Sequence, residues 1–188
     1  MIALGVDGEK GVVPLAFALT EGENNASWSW FLHLVRRDVV GPGRRVCIIS
    51  DRHQGILNAV QEHIDGYPPL VHRWCMRHFA ANIWRRQKSK EVINKLKSLC
   101  CAMEPRQFDA RLKVLQKDLN DDAKQWLKDQ MGNKENWALA FDEGGWRYLI
   151  MTTNMSEGIN NVLKGVRSLP VSAIIEFTFY KCNFFSID

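Results

Sequence analysis

The sequence has no apolar run of 18 residues, so no segment reads as a membrane-spanning helix. Its opening, Met1-Ile2-Ala3-Leu4-Gly5-Val6-Asp7, places no basic stretch before the short apolar one. No signal peptide is therefore expected, and the segment reads as a strand that begins at once, without a leader. The five cysteines, at 47, 75, 100, 101 and 182, show no even, regular spacing. No disulfide framework is therefore expected, and a reducing compartment fits. Internal repeats and low-complexity segments are missing too. Nor is there a large excess of one charge, since a net +4 over 188 residues points only weakly to nucleic acid.

What is present is a core. Hydrophobic residues make up 46% of the chain and seven are Trp, which suits one α/β domain with room for an inserted subdomain. Charge is concentrated locally. Between Arg73 and Lys97 eight Lys and Arg residues face one acid, Glu91. A solvated helix face would look the same, but such a stripe also attracts phosphate backbones. Its candidate DNA contacts are Arg73, Arg77, Arg85, Arg86, Lys88 and Lys90.

Residues 1–19 read as an antiparallel pair of strands about an Asp7-Gly8 turn, with Pro14 marking an edge or bulge. Ser27 is a candidate N-cap for a helix over 28–39 with Trp28, Phe31, Leu32, Val35 and Val39 inward. A strand over 46–50 precedes Asp51, and a helix then runs to about Ile64. Leu70-Val71-His72 is a short strand. From Trp74 to Tyr148 the pattern is helical almost throughout, with Glu104-Pro105 starting one helix and Asp121 or Asp122 capping another. Leu149 to Thr153 reads as a strand or a buried connection. A helix opens at Asn154 with Ile159, Val162, Leu163 and Val166 inward, and a last apolar helix covers 171–185.

Asp51 closes the run Val46-Cys47-Ile48-Ile49-Ser50 and precedes a polar turn, so it sits at the C-terminal tip of a buried strand. In α/β sheets that tip binds ligands and metals. The plainer reading makes Asp51 a cap for the helix starting near Gln54. Glu157 falls in the first turn of a later helix, where the macrodipole already favours a carboxylate. Two-metal phosphoryl transfer needs carboxylates converging from different elements, and Asp51 with Glu157 fits that plan. A third acid on a central strand is not found. Asp7 reads as turn chemistry.

His72-Arg73-Trp74-Cys75-Met76-Arg77-His78 contains a Cys-x2-His pair. One Cys and one His are half of a tetrahedral zinc site, and no compact second pair follows, so structural zinc is not expected. Alternatively, Cys75 and His78 share one side of a helix start and form hydrogen bonds near the acids. His53 reads as a loop residue. Cys47 and Cys182 read as core thiols.

The ordered set of these pieces resembles the Mutator-like element (MULE) transposase domains of plants. Leu4-Gly5-Val6-Asp7-Gly8, Val13-Pro14-Leu15-Ala16-Phe17-Ala18 with Glu21, and Ser27-Trp28 with Trp30-Phe31-Leu32 are similar to the opening of that domain. Ile49-Ser50-Asp51-Arg52 with Gly55-Ile56 resembles its second catalytic acid. His72-Arg73-Trp74-Cys75 with His78 and Asn82 resembles its Cys-x2-His motif. Thr153-Asn154-Met155-Ser156-Glu157 with Asn160 resembles its final acid.

The resemblance implies a ribonuclease H-like α/β fold, a mixed sheet with a helical insertion over 74–148 between core segments 1–73 and 149–188. It implies an Asp-Asp-Glu triad binding Mg²⁺ or Mn²⁺, transposon-end DNA as partner, and a nuclear location. Asp51 and Glu157 would be the second and third members. The first Asp would lie on a strand just before residue 1, so the expectation is a core that lacks its first strand, does not cleave DNA in isolation and is prone to self-association. A non-catalytic, transposase-derived DNA-binding regulator is the alternative.

Overall fold

Asp7 makes the first turn. Its Oδ1 accepts the N–H groups of Glu9 at 2.9 Å and Gly11 at 2.7 Å, which closes the hairpin between β1 (Ile2–Val6) and β2 (Val12–Phe17). Leu4 pairs with Pro14 while Ala3 pairs with Ala16, so Leu15 is the extra residue of a bulge beside the proline, as the sequence implied. The computed structural model describes residues 1–9, 11–166 and 168–185; the side chains of residues 156, 157, 160, 162 and 181–185 lie outside that description.

α1 (Asn25–Leu34) is capped by Asn24, whose side chain accepts the Ser27 N–H at 2.9 Å; Ser27 is therefore not the cap. The helix continues as a π-helical turn, Val35–Val40. The wider turn shifts the apolar stripe, leaving Val35 buried but Val39 exposed, against expectation. β3 (Cys47–Ser50) follows, then α2 (Gln54–Gln61), which stops short of Ile64. α1 and α2 pack so closely that a Cβ at Gly55 would lie 2.7 Å from Trp28. Phe31, Leu32, Val35, Ile56, Ala59 and Val60 form the apolar cluster between them.

β4 (Val71–Trp74) pairs in parallel with β3 and leads into the helices α3 (Met76–Arg86), α4 (Lys90–Cys100), α5 (Pro105–Asp118), α6 (Asp121–Asp129) and the short α7 (Lys134–Trp137). Pro105 opens α5 as expected, whereas α6 is capped by Asn120, not by Asp121 or Asp122. This helical part has its own core, in which Phe79 stacks on Trp137 at 4.7 Å and Phe108 packs against the same indole at 5.6 Å. Residues 149–153 form no strand. Tyr148 and Leu149 have φ of 47° and 67°, which turns the backbone away from an extended path, and Met151 is a buried connection. α8 (Asn154–Lys164) and α9 (Val171–Phe185) complete the chain. None of the described helices is long and apolar enough to cross a membrane.

The architecture is mixed α/β, with two small two-stranded sheets among the described residues. A cavity of about 1790 Å³ is bordered by both. Every residue from Met1 to Val6 and from Arg45 to Asp51 lines it, and no residue of β4 does. A strand showing a face to a cavity contributes alternate residues, so these consecutive runs mark edges. The carbonyls of Val46 and Ser50 accept the Val71 and Cys75 N–H groups, so by alternation the backbone groups of Cys47 and Ile49 point the other way.

Candidate active site

β3 ends where the sequence said it would, and Asp51 stands at its tip on the wall of the cavity. It does not cap α2. That cap is His53, whose Nδ1 accepts the Gly55 N–H at 3.2 Å, so His53 has a defined role rather than a loop one. Asp51 instead accepts the His53 N–H through Oδ1 at 3.0 Å, which fixes the carboxylate's orientation. The adjoining Arg52 explains why the tip is held rigidly. Its guanidinium lies 4.9 Å from the Trp74 ring and 5.3 Å from that of Trp126, and it donates to Gln130 Oε1 at 2.9 Å. Burial, with Arg86 nearby, pushes the Arg52 pKa down.

Three more segments meet this tip. Cys75 N–H donates to Ser50 O at 2.7 Å, Met76 N–H donates to Met151 O at 2.7 Å, and the Thr153 N–H and hydroxyl each donate to Cys75 Sγ at 3.3 Å. His78, Thr153 and Met155 line the same cavity as Asp51. Glu157 lies in the first turn of α8, directly after this knot, and its side chain lies outside the described residues. Among the described residues no group of three or more His, Cys, Asp or Glu converges as a metal site. The His72 ring is bonded elsewhere than to the Cys75 sulfur. It shares a 2.8 Å hydrogen bond with Ser50 Oγ, and burial, then Arg73 and Arg147, lower its pKa to about 4. Cys47 is half-buried on the cavity wall and not a core thiol, with burial pushing its pKa up to about 11, while the Cys182 side chain lies outside the described residues.

The basic stripe divides on folding. Arg73 is buried in an ion pair with Asp142, Nε to Oδ1 2.8 Å, and is withdrawn as a DNA contact. Arg86 is partly buried over the Trp126 ring at 5.1 Å and lies 3.6 Å from Asp122, so it too is largely committed within the fold. Arg77, Arg85, Lys88 and Lys90 are exposed, and Trp84 between them is 39% exposed.

Residues 1–82 match the family model of the MULE transposase domain. The match covers β1 through most of α3, and so includes Asp51, Cys75 and His78 but not Glu157. A transposase-related function with DNA as partner is what the MULE match suggests for this part of the chain. No curated protein matches the sequence. Arg52, Thr153 and Asp142 were not singled out from sequence for the roles they take. Arg52 adjoins Asp51 and Thr153 immediately precedes the Asn-Met-Ser-Glu run, so adjacency to the acids was the available signal for those two.

Proposed function

We propose that the chain is the core of a DDE-type DNA transposase with a ribonuclease H-like sheet, in which Asp51 and Glu157 are two of three metal-binding carboxylates. One observation carries the reading. The tip of β3, the Cys75 turn and the start of α8 are tied together on one cavity, so the elements bearing the two acids adjoin. Asp51 fits a hard divalent cation: it is oriented through Oδ1 and faces the cavity. Mg²⁺ or Mn²⁺ held there would polarise a phosphate and acidify an attacking water. The chain's own part is to orient the Asp51 carboxylate and to hold α8 beside it.

The sheet edges support the same reading. β1 and β3 both turn edges to the cavity, and no strand among the described residues fills the space between them. A ribonuclease H-like sheet assigns that position to the strand bearing the first acid. Asp7 does not serve, since its carboxylate is spent on its own turn. The chain alone is therefore expected to bind divalent cations without nicking DNA. Asp51→Asn should weaken Mn²⁺ binding by roughly tenfold or more, by analogy with the loss of a bonded charged group. Calorimetric titration checks this. Unchanged Mn²⁺ affinity in Asp51→Asn would overturn the proposal, whereas robust Mg²⁺-dependent nicking by the isolated chain that vanishes in Asp51→Ala would overturn only the expectation that the chain alone is inactive.

The same open edges favour self-association. α9 adds exposed Val171, Ile175 and Phe179 at four-residue spacing. Sedimentation of the purified chain is expected to show species above the monomer, reduced by Phe179→Glu. A monodisperse monomer at all concentrations would refute this.

A further inference from the structure

Cys75 is 1% exposed and stands at the N-cap of α3. A buried thiol ordinarily packs as a small apolar group. Here the sulfur accepts two hydrogen bonds from Thr153, both 3.3 Å, and His78 stands three residues on, within electrostatic reach. Neutral sulfur is a weak acceptor, and converging donors match a thiolate. Thr153 sits at the N-cap of α8, yet its side chain makes no cap bond to that helix. Its hydroxyl is turned to the sulfur instead. The backbone on either side is fastened as well, Cys75 to Ser50 and Met76 to Met151.

We propose that Cys75 is a positioning residue whose sulfur, bonded twice by Thr153, fastens the start of α8 to the tip of β3. Burial opposes charge on the sulfur, but His78 and the Thr153 donors outweigh it and lower the thiol to about 6. The neighbouring sulfur raises His78, which burial and Arg77 on α3 oppose and Asp51 at the end of β3 assists. The Cys-x2-His spacing is then explained without zinc. Three residues apart at a helix start, the pair shares one side, and the sulfur takes its other donors from a segment 78 residues further along the chain. What this fastening does for a metal rests on the function proposed above; the fastening itself does not.

The test uses the full chain. Amide hydrogen exchange over 153–159 is expected to accelerate roughly tenfold or more in Cys75→Ala, the loss of a hydrogen bond to a charged group, and to be largely restored in Cys75→Ser. The thiolate ultraviolet absorbance, taken as the difference from Cys75→Ser, is expected to titrate near 6 and to move upward in Thr153→Val. If Cys75→Ala fails to fold, Thr153→Val carries both readouts. Unchanged exchange, or a thiol titrating in the ordinary range near 8.5, would overturn the proposal. Mn²⁺ binding measured on the same proteins separates the two ideas. A working clamp in a chain that binds no Mn²⁺ counts against the active-site reading alone, and Mn²⁺ binding with unchanged exchange counts against the clamp alone.

Discussion

Asp142→Ala is expected to cost about 3–5 kcal/mol, the loss that follows when a buried charge is stripped of its partner. The carboxylate is almost fully buried and holds one guanidinium and one backbone N–H at once. Oδ1 accepts Arg73 Nε at 2.8 Å and Oδ2 accepts the Arg147 backbone N–H at 2.8 Å. The Arg147 guanidinium, 1% exposed, donates to the carbonyls of Trp74, Asn136 and Ile150. Carbonyl oxygens bear no charge, so Asp142 supplies the compensating negative charge, in direct contact with the Arg73 guanidinium and through space to that of Arg147. Because domains of this size retain about 5–15 kcal/mol in total, the substitution removes a large fraction of it. Urea unfolding followed by tryptophan fluorescence measures the shift. Asp38→Ala is the control, since the Arg37–Asp38 pair is about half exposed and its loss is expected to leave the midpoint unmoved. A small shift in Asp142→Ala, matching the control, would show that the two arginines do not depend on this carboxylate. The pair also ties β4 to the segment leading into α8, so the proposed site should loosen together with the helical core.

Replacing Arg77, Arg85, Lys88 and Lys90 together by Gln is expected to abolish most duplex DNA binding. Each Lys or Arg that meets a phosphate releases condensed counterions, so four contacts give a log–log salt slope of about −3.6 and a loss of about a hundredfold between 50 and 200 mM salt. The variant should lose both the affinity and the slope, while Arg86→Gln alone should change the slope little, because that guanidinium is partly buried over Trp126. Fluorescence anisotropy with a labelled duplex over a salt series decides it. An unaltered slope in the fourfold variant would place the DNA surface elsewhere. No binding by the folded wild-type chain at low salt would remove DNA as its partner.

The hairpin, β3 with Asp51 at its tip, the run of helices after Trp74 and the start of α8 were all legible, because each has a local cause. These are the Asp-Gly turn, the β-branched run, a 3.6-residue stripe and a Pro at a first helical turn. Caps were misplaced by one to three residues where several short polar side chains compete, as Asn24 does with Ser27 and Asn120 with Asp121. Val39 was misjudged because a π-helical turn changes the period on which the stripe depends. Counting charge along the chain could not separate Arg73 from Arg77. Folding brings a carboxylate, Asp142, to Arg73 in the buried interior, while Arg77 stays exposed.

By itself the sequence determined which segments become strands and helices, and that an acid ends the third strand. Backbone sterics and hydrophobic period act over a few residues, so they can be read there. Tertiary structure alone decided which cations are surface and which are buried counter-ions. It decided that two sheet edges border one cavity, and that a cysteine sulfur would receive its donors from Thr153. Those outcomes depend on contacts between residues 69 and 78 positions apart, which no local pattern encodes, and their energy comes from removing charge and sulfur from water once the chain has closed around them.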